Sequence, residues 1–150
     1  MSRIFVKLKL LEHGKGLGLP SYATCGSAGA DLKAANSKPI KIKPGTVELI
    51  PCGFNIAIPD GYEGQVRSRS GLSLKNSLIV LNSPGTIDSD YRGEVKLIMM
   101  NLSDEPFVVE RGMRLAQLVI CPVIQADFEF VNELPLTCRS DSGFGSTGVK

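Results

Sequence analysis

Apolar and polar residues alternate along much of this chain with a period of two. In PIKIKPG, Ile40 and Ile42 face one way and Lys41 and Lys43 the other, and Pro44-Gly45 then turns the chain. In GFNIAIPDG, Phe54, Ile56 and Ile58 alternate before a turn at Pro59-Asp60-Gly61. Val95, Leu97 and Met99 repeat the pattern after Gly93. Further short strands are predicted over 107–110, 115–123 and 128–131. Short strands with turn signals at close intervals predict an all-β fold, an antiparallel sandwich or barrel. One stretch, GLSLKN at 71–76, suits a helix of about two turns at most.

The pattern stops at Arg139. From there RSDSGFGSTGVK is small, polar and Gly-rich, too poor in apolar area to order itself. Composition alone favours a frayed terminus or a linker. The sharper alternative is a flexible flap that orders on a ligand. Arg139 can grip phosphate, Phe144 can stack on a base, and glycines such as Gly145 let backbone N–H groups approach oxygens. The expected division is one β domain over 1–138 and a tail over 139–150.

Composition narrows the function. The chain has 150 residues, one domain's worth, with 43% hydrophobic and 21% charged residues. Its net charge is +2, from 17 basic and 15 acidic side chains. That balance gives no broad basic field, so polymeric nucleic acid is not the expected ligand, while a small anion remains open. No signal-peptide core or membrane-length apolar run is evident, and a cytoplasmic protein is expected. Cys25, Cys52, Cys121 and Cys138 are scattered and read as reduced, mostly buried thiols. His13 is the single histidine, which leaves a His-based zinc site almost nothing to build with.

Four segments could carry chemistry. LNSPGTIDSDYRGEV reads as a strand, a Pro-Gly turn and a return through acidic residues to a new strand. On an extended segment Asp88 and Asp90 would point the same way, suited to acid–base work or a divalent metal. A solvated hairpin explains the same residues, and more simply. In RSRSGLSLKN, Arg69 precedes Ser70-Gly71 at the mouth of the helical turn, a candidate phosphate cradle that is not a Walker loop. In RGMRLAQLVICPV, Arg114 and Gln117 could be presented to an anion, or could simply edge a buried strand. In GSAGADLKAA, Asp31 heads a strand and by itself fits a turn cap.

The order of these segments resembles the trimeric dUTPase family. Its five motifs are matched by AGADL at 28–32, RSGLS at 69–73, GTIDSDYRGEV at 85–95, RLAQL at 114–118 and RSDSGFGSTG at 139–148. Three positions depart from the usual pattern: Ser68 where Pro is frequent, Asn76-Ser77 after the short helix, and Pro84 in the hairpin.

The resemblance implies a jelly-roll-like β-barrel with one short helix, assembled as a homotrimer with active sites between subunits. The implied reaction is dUTP plus water to dUMP and pyrophosphate, which keeps uracil out of DNA and supplies dUMP for thymidylate synthesis. Asp88 would be the base that activates water. Arg69, Ser70, Gly71 and Gln117 would bind phosphates, and Arg139 would arrive with the tail. Main-chain groups of the hairpin from Asn82 to Lys96, including Thr86 and Ile87, would read uracil. Tyr91 would pack under the deoxyribose, and Phe144 and Gly145 would close over the base. Mg²⁺ would travel on the triphosphate without a direct protein ligand, with Asp31 a possible holder of a metal-bound water. Two rival readings are a dCTP deaminase or bifunctional deaminase–dUTPase on the same fold, and a non-enzymatic nucleotide-sensing module.

Overall fold

The computed structural model describes residues 4–143. Among the described residues there are eleven strands, one 3₁₀ turn and one short helix. β1 (Lys7–Leu10), β5 (Val47–Ala57), β9 (Glu94–Asn101) and β7 (Leu78–Val80) form one sheet, in the order β1-β5-β9-β7. β2 (Ser21–Tyr22), β3 (Ala30–Lys33), β11 (Arg114–Pro122), β6 (Tyr62–Ser68) and β8 (Gly85–Ile87) form a second, in that order. β10 (Phe107–Val109) pairs with β4 (Ile40–Ile42). This is the jelly-roll-like β fold expected, with its strands divided among three sheets rather than closed in one hydrogen-bonded barrel.

The alternating positions become the core. Ile50, Phe54, Ile56 and Ile58 from β5 and its end meet Val95, Leu97 and Met99 from β9. Leu32, Val66, Ile87 and Leu118 join the same cluster from the five-stranded sheet, and Ile42 and Val109 from the two-stranded one. Leu97 and Met99 are wholly buried. Burying a side chain of this size stabilises the fold by roughly 1.5–3 kcal/mol, so the alternation in sequence is what holds the sheets face to face.

Strand β5 does not pair evenly with β9. Pro51 lies opposite Lys96 and Asn55 opposite Glu94, so residues 52–54 bulge over Val95. Gly53 sits there at φ +78°, and a Cβ on it would strike the backbone of Gly14. Only glycine fits both demands. The bulge receives the N-terminal turn Glu12–Gly14, with Leu11 N–H donating to Gly53 O at 2.9 Å.

Two expectations need correction. No strand forms over 128–131 within this chain; Phe128 and Phe130 are fully exposed and the stretch has no pairing edge of its own. The cysteines are free, but only Cys52 is buried, while Cys25 and Cys138 lie in exposed loops and Cys121 is half-buried. Burial pushes the Cys52 thiol up to about 12, and the Glu94 carboxylate adds to the effect. It therefore serves as a protonated core filler. Among the described residues no helix is long and apolar enough to cross a membrane.

The helix α1 spans Ser70–Asn76, one residue longer than expected, and ends on Ser77 at φ 51°. A left-handed conformation strains a residue with a Cβ. Ser77→Gly is expected to raise the unfolding free energy by about 0.5–1 kcal/mol, read as a higher denaturant midpoint; a lower midpoint would contradict this account of the cap.

Candidate active site

Residues between Thr86 and Lys96 build one side of a cavity of about 350 Å³. Thr86, Ile87 and Asp88 line it from β8 and its end, Tyr91 from the turn, and Glu94 and Lys96 from β9. Leu49 and Ile98, which the sequence did not single out, supply an apolar wall. β8 is held in place by β6, with Thr86 opposite Gln65 and Ile87 opposite Gly64.

Asp88 and Asp90 do not form a carboxylate pair on an extended strand. The chain turns between them, and Tyr91 N–H donates to Asp88 O at 3.2 Å. Asp88 lines the cavity and Asp90 does not. A turn breaks the two-residue periodicity on which the pairing depended.

The expected Pro-Gly turn is also displaced. The chain turns at Leu81-Asn82, and Ser83–Pro84 is a cis peptide; Gly85 is already the first residue of β8. The Asn82 amide lies over Gly85, 2.9 Å from where a Cβ would stand. Asn82 is thus beside the hairpin rather than among the residues lining the cavity.

Tyr91 is fixed at both ends. Its hydroxyl donates to Glu94 O at 2.9 Å, and its ring crosses Gly93 so closely that a Cβ there would collide with it. The Arg-Gly step before Glu94 is the sequence signal for this contact.

The expected phosphate-binding residues gather elsewhere, around Asp31. On the five-stranded sheet Gln117 stands opposite both Asp31 and Arg67. The Asp31 side chain, 7% exposed, accepts a hydrogen bond from Arg114 Nη1 at 3.1 Å and ion-pairs with Arg69 Nε at 3.3 Å. Arg69 Nη1 also donates to Arg114 O at 2.8 Å. Two guanidiniums on one carboxylate leave an excess positive charge, suited to an anion. Ser70 and Gly71 open α1 beside Arg69, both exposed. Gln117 packs on Gly29, where a Cβ would come within 2.9 Å of it, which accounts for a glycine just before AGADL's Ala30.

The unusual Ser68 is used locally. Its N–H donates to Ser83 Oγ at 3.2 Å and its Oγ accepts Val80 N–H at 2.9 Å, ties that a proline could not make.

None of the Asp31 group lines the hairpin cavity, so a single chain does not bring the two halves together there. Arg139 donates to Ser142 O at 2.9 Å within its own exposed turn and joins neither half. Phe144 and Gly145 lie outside the described residues.

Among the described residues no three His, Cys, Asp or Glu side chains come together as a metal site. Both Asp31 oxygens already face arginines, so its carboxylate suits a water-mediated role better than direct coordination.

The dUTPase family model matches residues 17–148. The chain belongs to the dUTPase family. It is 57% identical to the deoxyuridine 5'-triphosphate nucleotidohydrolase of Aquifex aeolicus, over the full length of both chains. It is 53% identical to the enzyme of that name from Sinorhizobium medicae, covering 93% of this chain and 88% of the relative. A mutant dUTPase of Staphylococcus bacteriophage 80alpha, solved with dUpNHpp, superposes with a TM-score of 0.83 at 28% identity, covering 97% of this chain and 99% of that one.

The Asp31 cluster should also carry stability. Asp31→Ala leaves Arg69 and Arg114 facing each other without a counterion and is expected to lower the unfolding free energy by about 1–3 kcal/mol. The part-exposed arginines keep the loss toward the low end. An unchanged denaturant midpoint would mean the pairing is incidental.

Proposed function

We propose that this protein hydrolyses dUTP to dUMP and pyrophosphate, a reaction that keeps uracil out of DNA and supplies dUMP. The observation that carries this reading is the cavity in which Asp88, Tyr91 and Lys96 meet the β8 backbone at Thr86 and Ile87. It is supported by the likeness to deoxyuridine 5'-triphosphate nucleotidohydrolases that the chain matches over 88–100% of their length.

Asp88, exposed at the cavity, would hold a water and take its proton as the oxygen attacks the α-phosphorus in line. The rest of the catalysis is positioning and charge neutralisation. Arg69, Ser70, Gly71 and Gln117 would bind the phosphates, and Arg139 would add charge from the tail, with 139–150 acting as a flap. Mg²⁺ carried on the triphosphate would neutralise its oxygens, with Asp31 touching it only through water.

Backbone groups of the 82–96 hairpin would pair with uracil. Cytosine's amino group would meet no acceptor there, at a cost of roughly 1–3 kcal/mol. Tyr91 would lie under the deoxyribose and leave no room for a 2′-hydroxyl. Phe144 and Gly145 would cover the base.

The two halves of this machinery belong, in this proposal, to neighbouring copies of a homotrimer. Support comes from the segment after β11: Ile124, Phe128, Phe130, Leu134 and Leu136 are 80–106% exposed in the single chain. A row of bare apolar side chains on an unpaired stretch needs a partner surface, and a second copy supplies one. The exposed free thiols Cys25 and Cys138 suit a reducing, cytoplasmic setting.

A pyrophosphate-release assay with each deoxynucleoside triphosphate and with UTP tests the reading. dUTP alone should be turned over rapidly, and Asp88→Asn should lower kcat by about 10²–10⁴-fold. Near-normal turnover by that variant would remove Asp88 as the base; ammonia release from dCTP would favour a deaminase, and binding without hydrolysis a sensor.

A further inference from the structure

We propose that His13 is a positioning residue for sugar selection, acting on Tyr91 through Glu94. The inference rests on the dUTP-hydrolysing reading above and adds to it a residue far from the hairpin in sequence.

His13 Nε2 lies 2.5 Å from Glu94 Oε1. A carboxylate only accepts, so the imidazole donates. The same oxygen accepts Gly53 N–H at 3.0 Å. Glu94 thus does for the bulge of β5 what a strand partner would otherwise do, since residues 52–54 face Val95 alone. Its second oxygen lies 3.9 Å from Lys96 Nζ, which also lines the candidate cavity. Its own carbonyl takes the Tyr91 hydroxyl at 2.9 Å. One residue therefore joins the N-terminal turn, the bulge, Lys96 and Tyr91.

His13 is itself held rigidly. Arg111 Nη1 donates to His13 O at 2.7 Å and to Ala35 O at 3.2 Å, while Nη2 donates to Lys15 O at 2.8 Å. Gly14 is pressed against Gly53 with no space for a Cβ. A turn clamped on both sides of the imidazole is a fixed post rather than a passing contact. Without the imidazole donor, the Glu94 carboxylate keeps Gly53 N–H and Lys96 as its remaining partners. The residue whose carbonyl anchors the Tyr91 hydroxyl then loses one of the contacts that tether its side chain. A Tyr91 ring free to shift leaves space for a 2′-hydroxyl.

The test compares kcat/KM for dUTP and UTP in the full-length assembled protein. His13→Leu keeps bulk and removes the donor; His13→Gln restores an N–H at similar reach. The ratio of dUTP to UTP efficiency should fall about fivefold in His13→Leu, mainly through a lower KM for UTP, and recover in His13→Gln. Lys15→Ala, which removes only an exposed ion pair with Glu12, should leave the ratio unchanged. Melting temperatures establish that each variant is folded. Should His13→Leu not fold, His13→Ala takes its place, and its ratio should again lie below that of His13→Gln. A purely structural role would weaken both substrates alike, and that result, or an unchanged ratio, would overturn the proposal. A wild-type protein inert toward dUTP would overturn the functional reading as well, so the two failures are distinguishable.

Discussion

Strand β5 pairs with β9 from Val47 to Pro51, leaves it over residues 52–54, and meets it again at Asn55. Much of what this protein presents to solvent is arranged around that interruption. The paired parts bury Ile50, Leu97 and Met99 and hold the sheets together. The unpaired part has backbone groups that must bond elsewhere. Leu11 N–H donates to the Gly53 carbonyl and the Glu94 carboxylate takes the Gly53 N–H, while Ala35 N–H meets the Pro51 carbonyl at the edge of the break. A break in the ladder thereby recruits the N-terminal turn and fixes the residue from which the hairpin leaves the sheet.

The second constraint is electrostatic. Asp31 is buried under two arginines on the five-stranded sheet, with Gln117 in the neighbouring register position. This arrangement sets a positive, hydrogen-bonding surface apart from the carboxylate of Asp88. In the proposed assembly these would be an anion site and a base site contributed by different copies. In the proposed trimer, the exposed apolar stretch beyond β11 would give those copies a reason to associate.

Much of this was legible in the residues. The alternation at Phe54, Ile56 and Ile58 and at Val95, Leu97 and Met99 marked two core strands, because a half-buried strand has no other simple pattern. The short helix was placed to within one residue. The 128–131 stretch misled because FEFV has strand composition, while pairing depends on an edge that composition does not reveal. The two-residue spacing of Asp88 and Asp90 alone suggests a pair, but a turn has no fixed period, and the family resemblance had already separated the two by making Asp88 alone the base. The Asp31–Arg69–Arg114 cluster joins three distant segments, and no local pattern predicts which arginine meets which acid. His13 and Glu94 were hidden for the same reason: they are 81 positions apart and meet only because β5 bulges.

In the proposed assembly a complete site takes Asp88 from one copy and the Arg69 cluster from another. Co-folding Asp88→Asn chains with Arg69→Ala chains tests this most directly. Each variant alone should release little pyrophosphate from dUTP, whereas mixed trimers should recover activity at sites that combine the intact Asp88 of one chain with the intact Arg69 of its neighbour. Mixed trimers no more active than the separate variants would contradict the account and return both residues to a single chain's site.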